Sequence, residues 1–145
     1  MPQINLPLSP DGMVLQATIG LCAPDQIPLN RAGKPIPKPI EVPALIDPGC
    51  DRTAIASRLV RQLALAPLIY GTSQTAAGAF QVNLYRVDLT ISKPSHPSGP
   101  VLIVSDLLVS EFTAPLPFDV LIGMDVLREC LLVLDGPGQQ FILAF

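Results

Sequence analysis

The sequence has little charge and no long hydrophobic run, although it is apolar overall. Only 14% of its 145 residues are charged, whereas 49% are hydrophobic. No uninterrupted apolar stretch approaches the roughly 20 residues that a membrane-spanning helix needs, so a membrane protein is not predicted. Because a small domain has much surface to cover, the apolar excess instead predicts a soluble subunit that hides apolar surface in an oligomer.

Basic residues are also scarce, and they are scattered rather than clustered. Nine basic residues face twelve acidic ones, which gives a formal net charge of −3. This balance argues against nucleic acid as a partner. The first six residues (Met-Pro-Gln-Ile-Asn-Leu) contain neither the basic leader nor the apolar core of a signal peptide. We therefore expect a cytoplasmic protein with no nucleic-acid or membrane partner.

Cysteines are few and widely spaced. Cys22, Cys50 and Cys130 form an odd set without a metal-ligand pattern, so free thiols in a reducing compartment are expected. No cofactor and no metal are implied. For Cys50, an alternative hypothesis is that it is a redox-sensitive thiol.

Histidine is nearly absent, and this excludes one class of hydrolase. The single histidine, His96, lies in a turn rich in proline and serine, where a solvated role is expected rather than base catalysis. Ser57 and Ser73 therefore lack a histidine partner. A serine-hydrolase mechanism is not predicted.

Proline and glycine, in contrast, are abundant, with 17 and 10 residues. Breakers at this density leave little room for helices and favour short strands joined by turns within a single domain. We predict a bulge near Tyr85-Arg86, where the alternation of apolar and polar residues slips by one. The predicted strands are 3–8, 13–21, 42–46, 68–75, 79–91, 101–109, 118–122, 131–134 and 140–145.

Two segments depart from this strand pattern. Residues 22–41 are rich in proline and are predicted to form a long exposed loop, ordered as polyproline II or serving as a proline-recognition motif. Residues 53–65 show a four-residue apolar period and are predicted to form a helix, capped by Thr53 or Asp51. A further helical turn is predicted at 126–130, with Asp125 as its cap. All other segments read as strand or turn.

Two short runs contain the candidate functional residues. Asp47-Pro48-Gly49 follows the apolar run Ala-Leu-Ile at 44–46, and by itself it is a common β-turn sequence. Leu121-Ile122-Gly123 follows far along the chain, with Gly123 at 123 − 47 = 76 residues after Asp47. Asp119 and Asp125 flank the second run, where capping is more common than catalysis.

Taken together, these runs resemble the retropepsin-like aspartic proteases. That family has Ala-Leu-[Ile/Leu]-Asp-[Thr/Ser]-Gly-Ala, often followed by an acidic residue and Thr, and later two hydrophobic residues and Gly before a short helix. Between the runs it places a flap hairpin with glycine near the tip, and here 71–82 bends at Ala76-Ala77-Gly78. Segments 3–8 and 140–145 correspond to the strands that interleave in the family's dimer.

The resemblance implies an all-β, retropepsin-like closed barrel with one short helix, covering 1–145 as a single domain. It implies a homodimeric endopeptidase that cuts extended peptides, with one Asp47 from each subunit sharing a proton. Asp51 would contact the substrate backbone, and the flap tip would close over the peptide. Pro48 and Gly49, with Leu121, Ile122 and Gly123, would support the catalytic loop.

Pro48 departs from the family pattern. The Thr or Ser at this position offers a hydroxyl and an amide that brace the two catalytic loops across the dimer axis, and proline has neither donor. Two outcomes follow from this substitution. The chain is a working protease with a weaker brace, or it is a silent module that dimerises or binds peptides without cutting them.

Overall fold

The computed structural model describes residues 1–93 and 95–145. Ten strands and three short helices follow one another along these residues. They are β1 (Gln3–Pro7), β2 (Val14–Gly20), α1 (Ala23–Arg31), β3 (Ile40–Ile46), β4 (Ala54–Ala56), α2 (Ser57–Gln62), β5 (Ile69–Thr75), β6 (Gly78–Ser92), β7 (Val101–Phe112), β8 (Val120–Ile122), α3 (Met124–Leu127), β9 (Leu131–Asp135) and β10 (Gln140–Ala144).

Six of the strands close into a barrel. They run in the order β2-β3-β8-β4-β7-β6, and an antiparallel pairing of β2 with β6 closes the ring. Successive side chains of each strand point to opposite faces, so every second side chain faces the barrel interior. Leu15, Ala17 and Ile19 of β2 point inward and are buried, as are Leu89 and Ile91 of β6. The prediction of an all-β closed barrel is confirmed, although three helices are present where one was expected.

A parallel strand pair inside the barrel sets up the candidate site. Strands β3 and β8 run side by side, with Ala44 opposite Val120 and Ile46 opposite Ile122. All four residues are buried apolar side chains. Parallel neighbours end at the same edge of a sheet, so the residues that follow each strand, Asp47 and Gly123, are brought to one place.

The chain termini form a second, three-stranded sheet in the order β1-β10-β9. Its two pairings are antiparallel, with Gln3 opposite Ala144 and Leu131 also opposite Ala144 on the other side. Strand β9 is an edge, and its side chains Leu131, Val133 and Leu134 are 54%, 40% and 59% exposed. The terminal sheet therefore presents an apolar edge strand.

The prediction for 22–41 was partly wrong. Residues 23–31 form α1, with Pro24 in its first turn and Pro28 inside it. Proline is tolerated in the first turn of a helix because the amide there needs no partner within the helix. The rest of the segment, up to the start of β3 at Ile40, lacks regular structure.

The predicted helix at 53–65 was too long at both ends. Residues 54–56 form β4, which pairs with β7 and β8, and α2 covers only 57–62. Backbone pairing on both sides of Ala54 and Ile55 overrides the helical period there. Neither Thr53 nor Asp51 caps α2, which begins after Ala56 without a side-chain cap.

Smaller predictions can also be compared with the structure. The irregularity in β6 lies between Val87 and Leu89 rather than at Tyr85-Arg86. The last helical turn begins at Met124 instead of 126. The turn rich in proline and serine that was predicted around His96 includes Pro94, which lies outside the described residues. None of the helices within 1–93 and 95–145 has the length and hydrophobicity to cross a membrane.

Candidate active site at the Asp47 turn

The Asp47 turn, residues 47–50, is attached to the barrel at its first residue and closed at its last. The Asp47 amide donates to the Ile122 carbonyl at 2.9 Å, which extends the β3–β8 pairing by one bond. The Cys50 amide donates to the Asp47 carbonyl at 3.1 Å and completes a four-residue turn. Since neither bond uses the nitrogen of residue 48, the exposed Pro48 fits the turn within one chain.

Two donors from the same turn hold the Asp47 carboxylate. The Gly49 amide donates to Oδ1 at 3.0 Å, and the Cys50 thiol donates to Oδ2 at 3.1 Å. A Cβ atom on residue 49 would lie 3.1 Å from Oδ1, a tight contact that glycine avoids. The half-buried carboxylate is therefore fixed in one orientation by its own turn.

Cys50 is a partner of Asp47 that the sequence did not indicate. Burial, followed by the hydrogen bond and the negative charge of Asp47, raises the pKa of the Cys50 thiol to about 11. The thiol is therefore protonated at neutral pH and available as a donor. Oxidation proceeds through the thiolate, so this environment disfavours the redox-sensor hypothesis.

A second layer of hydrogen bonds locks the turn to the segment after β8. The Met124 amide donates to the Cys50 carbonyl at 2.7 Å, and the Asp125 amide donates to the Asp51 carbonyl at 3.1 Å. The amide and hydroxyl of Thr53 both donate to the Asp125 carboxylate, the hydroxyl at 2.7 Å. The Thr53 hydroxyl also accepts from the Gly123 amide at 3.1 Å.

The roles predicted for Thr53 and Asp125 were therefore incomplete. Thr53 is fully buried and caps no helix. Asp125 accepts from the Val126 amide in α3 at 3.0 Å, but its other bonds tie α3 to Thr53. The sequence signal was present, because the family pattern has a Thr after the acidic residue, but only the fold shows its partner.

Gly123 is required by the close approach of these two segments. A Cβ atom there would lie 2.6 Å from the Arg52 carbonyl carbon and 2.8 Å from the Thr53 nitrogen. Both are backbone atoms that cannot move without disturbing the turn. Ile122 beside it is buried and Leu121 is half-buried. The structure thus brings Asp47, Gly49, Ile122 and Gly123 together.

The residues predicted at the flap form the tip of the β5–β6 hairpin. Ala76 and Ala77 make a two-residue turn, and Gly78 has φ +119°, in the range that favours glycine. The Thr75 hydroxyl donates to the Gly78 carbonyl and accepts from the Ala77 amide. Within the described chain, no hydrogen bond joins this tip to the Asp47 turn. Asp51 is exposed on the surface beside that turn.

The competing polar residues have other partners. Asp119 accepts two bonds of 2.6 Å from the Arg58 guanidinium, which ties β8 to α2. The exposed His96 ring is hydrogen-bonded to the neighbouring Ser95 hydroxyl, and the Ser57 hydroxyl donates to the Phe112 carbonyl. Among the described residues, neither Ser57 nor Ser73 is hydrogen-bonded to His96.

One cluster of potential metal ligands lies on other elements. Cys22, Asp88 and Asp106 have ligand atoms within 4.8 Å of one another. Burial and the negative charge of Asp88 raise the pKa of the Cys22 thiol to about 12. The cluster does not include any residue of the Asp47 turn.

Comparisons with known proteins identify the fold. No family model matches the sequence, and no curated protein matches it. Among solved structures, the chain is similar to a retropepsin-like aspartic protease from Rickettsia conorii, with 17% identity and a TM-score of 0.63. The similarity covers 99% of this chain and 90% of that one. The chain therefore has a retropepsin-like fold, as the sequence predicted.

Proposed function

We propose that the chain is one subunit of a homodimeric aspartic endopeptidase in which Asp47 is the catalytic residue. The observation that carries this proposal is the orientation of the Asp47 carboxylate. It stands at the end of a buried parallel strand pair and is held by Gly49 and Cys50 at 3.0 and 3.1 Å. A carboxylate that activates water needs both a fixed orientation and access to solvent.

A single chain supplies only half of the chemistry. Hydrolysis by this route needs two carboxylates close enough to share one proton, since like charges at that separation cannot both ionise. One Asp47 takes a proton from water, which then attacks the scissile carbonyl, while the protonated partner donates to the carbonyl oxygen. A two-fold axis beside the Asp47 turn provides the second copy.

The terminal sheet supports this dimer. Strand β9 is an exposed edge with three apolar side chains, Leu131, Val133 and Leu134, and an edge of this kind is normally covered in a soluble protein. Because β1 and β10 pair within one chain, we propose that the subunits join through the edges of intact terminal sheets. The resemblance predicts a different arrangement, in which single terminal strands of the two subunits interleave.

Extended peptides are the proposed substrates. The β5–β6 hairpin directs the side chains of Val82 and Phe80 to one face and those of Asn83 and Gln81 to the other. Phe80 is 52% exposed. An extended peptide can pair with strand-like backbone and place apolar side chains against such a face, so hydrophobic residues are proposed on either side of the cut.

The competing proposal is a silent module that dimerises or binds peptides without cutting them. It rests on Pro48, which cannot donate across a dimer axis. Cleavage by the parent chain separates the two proposals, and a sharp gain in activity for Pro48→Thr would mean that the fold is competent and that only the brace was missing. In a chain that is silent for another reason, Pro48→Thr should bind peptides but remain inactive.

The first test is cleavage of a denatured protein mixture between about pH 4 and 7, where a dyad can hold one shared proton. Asp47→Asn should abolish cleavage, while Glu41→Gln, at an exposed position at the opposite end of β3, should not. Sedimentation would establish the dimer for each variant. A dimeric parent that cuts nothing, or an Asp47→Asn variant that still cuts, contradicts the protease proposal.

A further inference from the structure

A cavity of about 420 Å³ lies outside the Asp47 turn, between α1 and the body of the protein. Its volume falls within the roughly 300–1,000 Å³ typical of small-molecule sites. One wall is α1 with the following segment 34–37, and the other is the segment after α2 with the start of the β5–β6 hairpin. The walls are mainly apolar and include five leucines, Leu21, Leu29, Leu63, Leu65 and Leu68.

Helix α1 covers this cavity without filling it. None of its nine residues is fully buried, and Ile27 is 49% exposed. A helix this short, with Pro28 inside it, is not stable by itself in water. Its polar contacts are the pairing of Asp25 with Arg86 at 2.9 Å and the donation from the Gln26 side-chain amide to the Leu21 carbonyl at 2.9 Å. Leu29 packs against the core but is only partly buried. Apolar packing beneath the helix is therefore incomplete.

The charges that line the cavity are unbalanced. The Arg86 guanidinium is engaged by both carboxylate oxygens of Asp25, at 2.9 and 3.3 Å. Lys34 also lines the cavity, and no carboxylate among the described residues lies within 4.0 Å of its ammonium group. In a chain of net charge −3, this is an apolar cavity with an uncompensated cation at its wall.

We propose that this cavity binds a small amphipathic carboxylate of the medium-chain fatty-acid class. The hydrocarbon chain would pack against the leucines, and the carboxylate would pair with Lys34. An uncharged apolar ligand would leave the cation unused, and a cationic ligand would be repelled. The bound chain would complete the packing of α1, so it should raise the melting temperature and slow hydrogen exchange in that helix.

The test is a calorimetric and NMR titration of the full chain with octanoate, 1-octanol and octylammonium. We expect octanoate to bind at one site, about fivefold more tightly than octanol because of one exposed ion pair, with octylammonium weakest. Shifted amides should lie in α1 and in 63–68. Equal affinity for octanoate and octanol, or no binding of octanoate, overturns the proposal.

Two variants place the ligand in the cavity. Lys34→Glu replaces attraction by repulsion and should weaken octanoate about tenfold while leaving octanol unchanged. The matched control is Lys38→Glu, an exposed lysine that does not line the cavity. Ala66→Phe, at an exposed lining residue, should fill the space and weaken both ligands. If octanoate binds Lys34→Glu and Lys38→Glu equally well, the carboxylate does not pair with Lys34 and the proposal fails.

Discussion

Two turns of the chain, each containing a glycine or followed by one, differ in the segments that their hydrogen bonds reach. The Asp47 turn is bonded across the chain to Ile122 at 2.9 Å and to Met124 at 2.7 Å. Among the described residues, the hydrogen bonds of the turn at Ala76-Ala77 stay within its own hairpin, through Thr75 and Gly78, and both alanines are exposed. The Asp47 turn is therefore a fixed platform, and the Ala76-Ala77 turn, the proposed cover of the substrate, is expected to have the lower local stability.

This difference suits the proposed activity. A carboxylate that shares a proton with its symmetry mate must be held in place before substrate arrives, because its geometry decides the proton transfer. A cover must open to admit an extended peptide and then close over it. The comparison therefore predicts that equivalent changes in the two turns have different consequences.

The largest effect is expected for Gly123→Ala. The new Cβ atom would overlap backbone atoms of Arg52 and Thr53, so the platform must move. The free energy of unfolding should therefore fall by about 3 kcal/mol. Gly136→Ala is the matched control, because no atom lies within 4 Å of its Cβ position. Urea denaturation of both variants measures the difference. Equal midpoints would contradict the close approach at Gly123.

A smaller and more local effect is expected for Gly78→Ala in the cover. Nothing lies near its Cβ position, but φ +119° is strained for any other residue, at a cost of about 1 kcal/mol. Hydrogen exchange should accelerate in β5 and in the first part of β6, while amides of β3 and β8 remain protected. Acceleration spread evenly over the barrel would show that the two regions unfold together.

The comparison also explains what the sequence could predict. Buried alternation in β2 and β6 follows directly from the residues, and the pair of runs around Asp47 and Gly123 indicated which strand ends meet. The prediction failed where pairing partners are distant. Ala54 and Ile55 fit a helical period, yet they form β4 because strands β7 and β8 lie on either side of them.

The sequence indicated candidate residues for the site but not the hydrogen bonds that hold them in place. Asp47, Gly49 and Gly123 were expected from the resemblance to the retropepsin-like pattern, whereas the partners of Thr53 and Cys50 were not. Thr53 reaches Asp125, 72 residues away in sequence, and no local pattern indicates a bond of that range. Cys50 occupies the position of a small apolar residue in the family pattern, so its bond to Asp47 becomes visible only in the turn.

The smallest effect concerns the pH dependence of stability at Cys50. Its pKa is raised from 9.0 to about 11 by burial and by Asp47, so the folded protein keeps the proton at pH values where the unfolded chain has lost it. The resulting stabilisation is fully present below pH 9 and is lost as the pH rises towards about 11. Stability should therefore fall over this window.

Cys50→Ser isolates this contribution, because a serine hydroxyl keeps the donor to Asp47 but does not titrate in that range. Urea midpoints measured from pH 8 to about 11 should fall less steeply for Cys50→Ser than for the parent. The raised pKa of Cys22 is common to both proteins and cancels in the difference. Parallel midpoint curves would mean that burial and Asp47 do not hold the Cys50 thiol protonated over this pH range.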